Sequence, residues 1–390
     1  MKRAEKEIEK YLLKNGDVRY RYRYKYYDTL GKRREKKESS FVTQKDAEKA
    51  LLKAKIDVAN GNLKKVENSQ MTVGQWLDIW LNTNAHLWKI STQVVRKRAI
   101  ENHLKPMLGK YNLNKLDRQT YIRVFIQPLL KKFKPSTVLT YHNYFKIAVN
   151  AAVEEEILSR NRFRKVKIEQ RAARKNHLTA DELNIMIQAL KKYTPLTSYT
   201  LALLLAYTGM RIGEALALKW RDVDFKKGKI SIDFTRDAHG ERPPKTKNSY
   251  RTIPVDSLLI NQMLSYQKWC IETKFRHGFK LDKSADHIFL ANTGEPVYTE
   301  VMKVALKNAY KKLKSEGVSF TRISPHGLRH THATILINNG VLPKTIAERL
   351  GTTVEMIYKT YGHSLKEMED KAVTVFSNSV QAAGAKSGAD

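Results

Sequence analysis

"YTGMRIGEALALKW", residues 207–220, ends one helix at Gly209 and begins another. The turn places Arg211 in the first turn of the second helix. Free N–H groups and the positive end of the dipole make a helix start a natural anion site. A guanidinium beside it adds a bidentate fork suited to phosphate. Taken alone, an arginine at a helix start is ordinarily a surface residue.

Helices dominate the surrounding segment to residue 378. It is opened by Thr179 and Glu182 in capping-box spacing and interrupted by one β-hairpin, "KISIDFT" (229–235) with "YRTIPV" (250–255). Three more stretches carry chemistry-bearing residues. "SPHGLRHTHATILINNG" (324–340) reads as a helix between Pro325 and Gly340, with His326, Arg329, His330 and Ala333 on one face. Arg329 sits among its histidines and no carboxylate lies at ligand spacing, so no metal is expected there. "PPKTKNSYRTIPV" (243–255) puts Lys245 and Lys247 in the hairpin turn. "LGTTVEMIYKTYGH" (350–363) sets Val354, Ile357, Tyr358 and Tyr361 on one helical face, and packing alone would account for both tyrosines.

Two arginines, a lysine, a histidine and a tyrosine together suit attack of a tyrosine on a phosphodiester. The arginines would neutralise the transition state, and the histidine would take the phenol's proton or bind a non-bridging oxygen. The lysine could protonate the departing hydroxyl, leaving a covalent phosphotyrosine. No carboxylate and no metal are required.

Composition points to the same partner. The 390 residues carry 72 Lys+Arg against 39 Asp+Glu, a net charge of +33, which attracts polyanions. Nucleic acid comes first; an anionic membrane comes second, but the longest apolar run, "LALLLAY" (201–207), is far too short to span one. The opening "MKRAEKEIEK" reads as a charged, helix-like stretch rather than a signal peptide. The single cysteine, Cys270, excludes an intramolecular disulfide framework and reads as a buried small side chain.

The chain divides into segments of different texture. In "VRYRYRYKYY" (18–27), Tyr20, Tyr22, Tyr24 and Tyr26 alternate with Arg19, Arg21, Arg23 and Lys25, giving a strand with an aromatic and a basic face. Asp28 and Gly31 are turn residues, and a helix capped by Thr43 ends near Gly61. The basic face either contacts DNA phosphates or is simply solvated. "NLKKVENSQ" (62–70) reads as a linker, and residues 71–168 as helical throughout, a bundle of about four helices with basic edges that include Arg96 and Lys97. Ser91 is the expected N-cap of its second helix, and Trp76, Leu77, Ile79, Trp80 and Leu81 mark a face of its first.

On "TGMRIGEALALKWRDVDF", "PKTKNSYRTIPV", "HGLRHTHAT" and "LGTTVEMIYKTYGH" the chain resembles the tyrosine recombinases, the phage-integrase family. The motifs occur in the family's order and span most of residues 176–378. The first two segments are similar to those of larger members, where a small β-rich domain binds arm-type DNA sites and a helical domain binds the core site. The resemblance implies a multidomain α+β fold. It would comprise an arm-binding three-stranded sheet plus helix (1–65), a helical core-site domain (71–168), a mainly α catalytic domain with a small sheet (175–378) and a tail (379–390). By position, Arg211 is the first catalytic arginine with Glu214 in support. Lys245 is the hairpin lysine, with Lys247 as the alternative. His326 and Arg329 are the His-x-x-Arg pair, and Tyr361 is the nucleophile, which leaves Tyr358 as packing. Thr352 stands where the family usually has histidine.

The activity implied is site-specific recombination through a 3′-phosphotyrosine, integrating and excising a prophage or other mobile element without metal or cofactor. The implied partners are double-stranded DNA with core-type and arm-type attachment sites, a homotetramer on DNA, and DNA-bending and directionality factors. The implied location is the cytoplasm of a bacterial host, on its nucleoid. A DNA-binding regulatory or architectural protein with a weakened or lost active site is the alternative, supported by Thr352. A relaxing topoisomerase is a third, disfavoured by the basic N-terminal segment.

Overall fold

A computed structural model of the chain describes residues 7–28, 31–61, 63–170, 175–244, 246–362 and 376–377. The fold is mixed α+β and divides into two compact units, Met1–Ala172 and Ala173–Asp390.

The first unit begins with an antiparallel three-stranded sheet, Ile8–Leu12, Val18–Tyr27 and Arg33–Phe41, with the second strand central. The start of the chain is therefore strand rather than helix from Ile8 onward. Its charge-dense sequence has no strong period, and pairing with Val18–Tyr27 decides its conformation. Helix Gln44–Ala59, capped by Thr43 accepting from the Asp46 N–H, packs Leu51 and Ala54 onto the tyrosine face, where Tyr22 is buried. The 62–70 segment is not an open linker: Leu63–Glu67 forms a short helix, Val66 is buried, and the Val66 carbonyl accepts from Lys36 Nζ at 2.9 Å.

Four helical stretches follow. Val73–Asn84 starts with a complete Thr72/Gln75 capping box and buries Trp76, Leu77 and Trp80, whereas Ile79 is turned to solvent. Ile90 begins the second, not Ser91; Lys89 occupies the N-cap without a side-chain bond, and a π turn at Ile100–Leu104 carries the helix on to Leu108. Arg118–Tyr121, the π turn Ile122–Ile126 and Gln127–Lys132 make the third, and Pro135–Glu154 the fourth. Helix stops there, short of 168, where Glu156 takes a positive φ of 60°. Trp76 Nε1 donates to the Ala148 carbonyl at 2.7 Å, and Tyr121 Oη lies 2.9 Å from His142 Nδ1 inside this core.

In the second unit, Leu196–Thr208 is buried on nearly all sides and forms the central helix. Ala180–Tyr193, Ser257–Arg276, Glu300–Ser315 and Pro325–Asn338 contribute to the same region. The expected capping box of Thr179 and Glu182 is formed. The expected hairpin is more elaborate than a two-strand turn. Lys229–Ile232 lies between Val223–Asp224 and Arg251–Pro254, and a second ribbon, Thr235–Asp237 with Gly240–Arg242, is inserted in the connection. Buried Arg236 fastens that ribbon by donating to the Leu216 and Val297 carbonyls at 2.8 and 2.6 Å. Cys270 is fully buried, which pushes its thiol up to about 12. Among the described residues no helix is long and apolar enough to cross a membrane. The expected tail, 379–390, lies outside the described residues.

Candidate active site

The turn after the central helix builds the first wall of the site. Gly209 takes φ +65° as the helix C-cap, and a Cβ there would come within 2.5 Å of Leu350 Cδ2 and 2.7 Å of His332 Cδ2. The turn is thus pressed against two later segments, which only glycine permits. Arg211 occupies the N-cap of helix Ile212–Ala217, one position before the first turn. The Glu214 carboxylate accepts from the Arg211 backbone N–H at 2.9 Å and from Arg211 Nη1 at 2.7 Å. Its second oxygen also accepts from Arg251 Nη2 at 2.8 Å. Burial pushes the Glu214 carboxyl up, but Arg251 and Arg211 outweigh it, and the group is held below its ordinary value.

The second wall is helix Pro325–Asn338. Ser324 caps it, accepting from the Gly327 N–H, and Pro325 sits at the start where a missing N–H costs nothing. A Cβ on Gly327 would meet Ile323 Cβ at 2.6 Å and Asn176 Oδ1 at 2.8 Å, so the helix start is locked against the segment around residue 176. Arg329 is buried and donates through Nη1 to the Gly209 carbonyl at 3.0 Å, tying the two walls together. Burial, then Arg211, lower the Arg329 guanidinium to about 10, which leaves it cationic at neutral pH. His326 is lowered to about 4 by burial, then by His330, Arg329 and Arg211, and is neutral.

Helix Pro343–Leu350 ends at Gly351, φ +63°, where a Cβ would lie 2.7 Å from Arg251 Nη1 and 2.9 Å from the Asn248 carbonyl. The half-buried Thr352 follows immediately, and helix 354–362 begins two residues on. Ile357 packs with Ala333, Ile337, Ile346 and Leu350, and the half-buried Tyr361 lies against this cluster. Tyr361 Oη is 2.9 Å from His330 Nδ1. Burial raises the Tyr361 phenol and Arg329 opposes it. The shared helical face of the two tyrosines does not hold: Tyr358 is 53% exposed and is not packing, because the cluster is centred on Ile357 and covers only the Tyr361 side.

Arg211, His326, Arg329 and Tyr361 are therefore brought together within one unit. Lys245 lies outside the described residues, as does His363; Lys247 is exposed in the turn Lys247–Ser249. Three further residues complete the site. Arg251 carries Glu214 and also donates to the Arg349 and Ser249 carbonyls at 2.8 and 2.9 Å. Arg349 Nε donates to His332 Nε2 at 3.0 Å, while His332 Nδ1 donates to the Ala206 carbonyl at 2.8 Å. Those two partners fix the neutral tautomer of His332, whose value burial and Arg349 bring down to about 4. All three stand inside or beside the quoted motifs, but nothing in residue spacing announces their contacts.

The candidate DNA-contact residues sit in the first unit. Arg19, Arg21 and Arg23 pair with Asp17, Glu9 and Glu35 at 3.3, 2.6 and 3.0 Å, and Lys25 is exposed opposite Glu35 in the register. Arg96 lies over the Trp88 ring at 4.2 Å, while Lys97 is exposed near Glu101.

Family models match in three consecutive blocks: Arm DNA-binding domain over residues 8–58, phage integrase N-terminal SAM-like domain over 72–130, and phage integrase family over 176–368. A tyrosine recombinase XerC-like protein of Caldanaerobacter subterraneus subsp. tengcongensis is 26% identical, over 87% of this chain and 90% of its own. The fold is similar to that of the Tn1549 transposon integrase in complex with a circular intermediate DNA (TM-score 0.64, 20% identity, 76% of this chain and 98% of that one). It is also similar to a lambda integrase tetramer bound to a Holliday junction (TM-score 0.57, 18% identity, 88% and 95%). Arginines held on the two walls, a neutral histidine and an inward tyrosine are what phosphoryl transfer to a phenol requires. The chain belongs to the phage integrase family of tyrosine recombinases and is a site-specific DNA recombinase.

Proposed function

We propose that Tyr361 is the nucleophile, and that Arg211 and Arg329 hold the scissile phosphate and neutralise the charge that builds on it. The observation that carries this reading is that Arg329, buried and still cationic, lies within electrostatic reach of both Arg211 and Tyr361. Attack by the Tyr361 oxygen forms a 3′-phosphotyrosine and frees a 5′-hydroxyl. That hydroxyl then attacks the partner duplex, so bond energy is kept without ATP. His326 is neutral and suited to donating to a non-bridging oxygen. A lysine of the 243–255 segment, Lys245 or Lys247, would protonate the leaving oxygen.

The three blocks would work as arm-site (1–65), core-site (71–168) and catalytic (175–378) domains in a tetramer on DNA, integrating and excising a mobile element with bending and directionality factors. The exposed Arg21 and Lys25, with the half-buried Arg23 between them, on the open face of the N-terminal sheet support arm contact, and affinity should fall steeply with salt. Thr352 supports the rival reading of a weakened DNA-binding relative. Sequencing DNA captured covalently from cells that express the protein separates these readings. Capture at a defined site, lost in Tyr361→Phe, is expected. No capture favours the binder, and capture scattered without site preference favours a topoisomerase.

A further inference from the structure

Tyr361 poses a problem that the arginines do not solve. A phenol is protonated at neutral pH even at its ordinary value, burial raises that of Tyr361 further with Arg329 offsetting this only in part, and a phenol attacks phosphorus effectively only as its proton leaves. The sequence leaves a histidine, His326 by the resemblance, either taking that proton or binding a non-bridging oxygen. The contact in the structure is instead with His330, one turn further along the same helix. Its Nδ1 lies 2.9 Å from Tyr361 Oη, with the rings edge-on at 5.6 Å and 62°. His326 also packs against His330, ring to ring at 4.8 Å and 89°.

We infer that His330 is the general base for Tyr361, its Nδ1 taking the hydroxyl proton as the phenol oxygen attacks. This rests on Tyr361 being the nucleophile. In the step, the Oη–H bond breaks and the proton passes to Nδ1. The Oη–P bond forms, the P–O5′ bond breaks, and O5′ takes a proton from a lysine ammonium of the 243–255 segment or from water. In rejoining, the His330 imidazolium returns its proton to the departing Tyr361 oxygen.

The surroundings suit a base that starts neutral. His330 faces His326 and Arg329 on its own helix, Tyr361 on helix 354–362 and His177 on the segment before Ala180–Tyr193. Burial first, then Arg329 and His177, hold the imidazole below its ordinary value. A neutral imidazole carries one lone pair, and its Nε2–H tautomer presents that pair to the phenol. The assignment also gives the division of labour on this helix a physical basis: His326 serves the phosphate and His330 serves the nucleophile.

The test uses the full-length protein in single-turnover adduct formation on a nicked suicide duplex. The duplex carries either a normal scissile phosphate or one with sulfur at the 5′-bridging position, and rates are followed through the range where histidine titrates. His330→Ala and His330→Gln are each expected to slow the adduct on the order of 100-fold. The loss should appear on both substrates, because a thiolate leaving group replaces an acid and not a base. The histidine inflection should vanish from the pH profile, and added imidazole should restore part of the rate in the alanine variant. His330→Gln can accept the hydrogen bond but not carry the proton, so a wild-type rate there overturns the assignment. So does a faster adduct in either variant, which would make the contact a clamp. A slowed rate with unchanged pH profile, or one restored by the sulfur substrate, also overturns it. If His330→Ala fails to bind DNA, His330→Gln decides. Tyr361→Phe in the same assay keeps the two claims apart: an adduct that survives it removes the nucleophile, whereas an adduct lost only there removes the base alone.

Discussion

Glu214→Gln preserves shape and removes one charge, and the structure gives the size of the effect. The Glu214 carboxylate is 3% exposed and serves two arginines of unequal depth, Arg211 at 41% and Arg251 at 7%. The Arg211 pairing stays near water and is worth at most about 1 kcal/mol. The Arg251 pairing is dry, and removing one partner of such a pair costs about 3–5 kcal/mol because the other charge is stranded. Arg251 cannot swing away, since it also holds the Arg349 and Ser249 carbonyls. Glutamine still offers one acceptor, so the expected loss is about 3 kcal/mol, near the lower end of that range. Denaturant-dependent hydrogen exchange of peptides from Leu196–Thr208 reports this for the second unit of the full-length protein. Adding Arg251→Met to Glu214→Gln should recover at least half of the loss, because the stranded cation is then gone. A loss below about 1 kcal/mol in the single variant, or strictly additive losses in the double, would refute the reasoning.

Three other outcomes follow from the geometry. Gly351→Ala should cost about 1–2 kcal/mol for the left-handed backbone alone and more from the approach to Arg251 and Asn248, and it should lower adduct yield by displacing the start of helix 354–362; wild-type stability in a thermal melt would contradict this. Thr352→His should raise the rate of adduct formation, since an imidazole reaches further than a threonine hydroxyl; a slower variant would mean the site has repacked around Thr352. His142 and His332 are held at about 4 by burial, against about 6.5 in an unfolded chain, so between those values the native state binds fewer protons. Their stabilising contribution is whole above about pH 6.5 and is lost as pH falls toward 4, by up to ~1.4 kcal/mol per pH unit for each group. Urea unfolding across that range should show the decline in the unit that holds each histidine; a flat profile would contradict it.

What the sequence made legible was local. His326, Arg329 and His330 lie within one turn and a residue of each other on a helix whose proline and glycine ends are visible. Arg211 sits beside a glycine that stops a helix. What stayed hidden depends on partners far along the chain. Arg251 meets Glu214 across 37 positions, and Arg349 meets Tyr207 across 142, pairings that no periodicity carries. Ile8–Leu12 was unreadable as a strand because its neighbour in the sheet, not its own pattern, determines it. Tyr358 and Tyr361 look equivalent by helical spacing; only the position of the Ile357 cluster separates an exposed ring from a half-buried one.

The central claim is that one phenol, Tyr361, carries the DNA. The direct measurement is to trap the adduct on a nicked suicide duplex, digest protein and DNA, and locate the modified residue by mass spectrometry. A nucleotide phosphate on Tyr361 is the result predicted. The same mass on Tyr358 or on any other side chain, or no adduct from protein that binds the duplex, would contradict it.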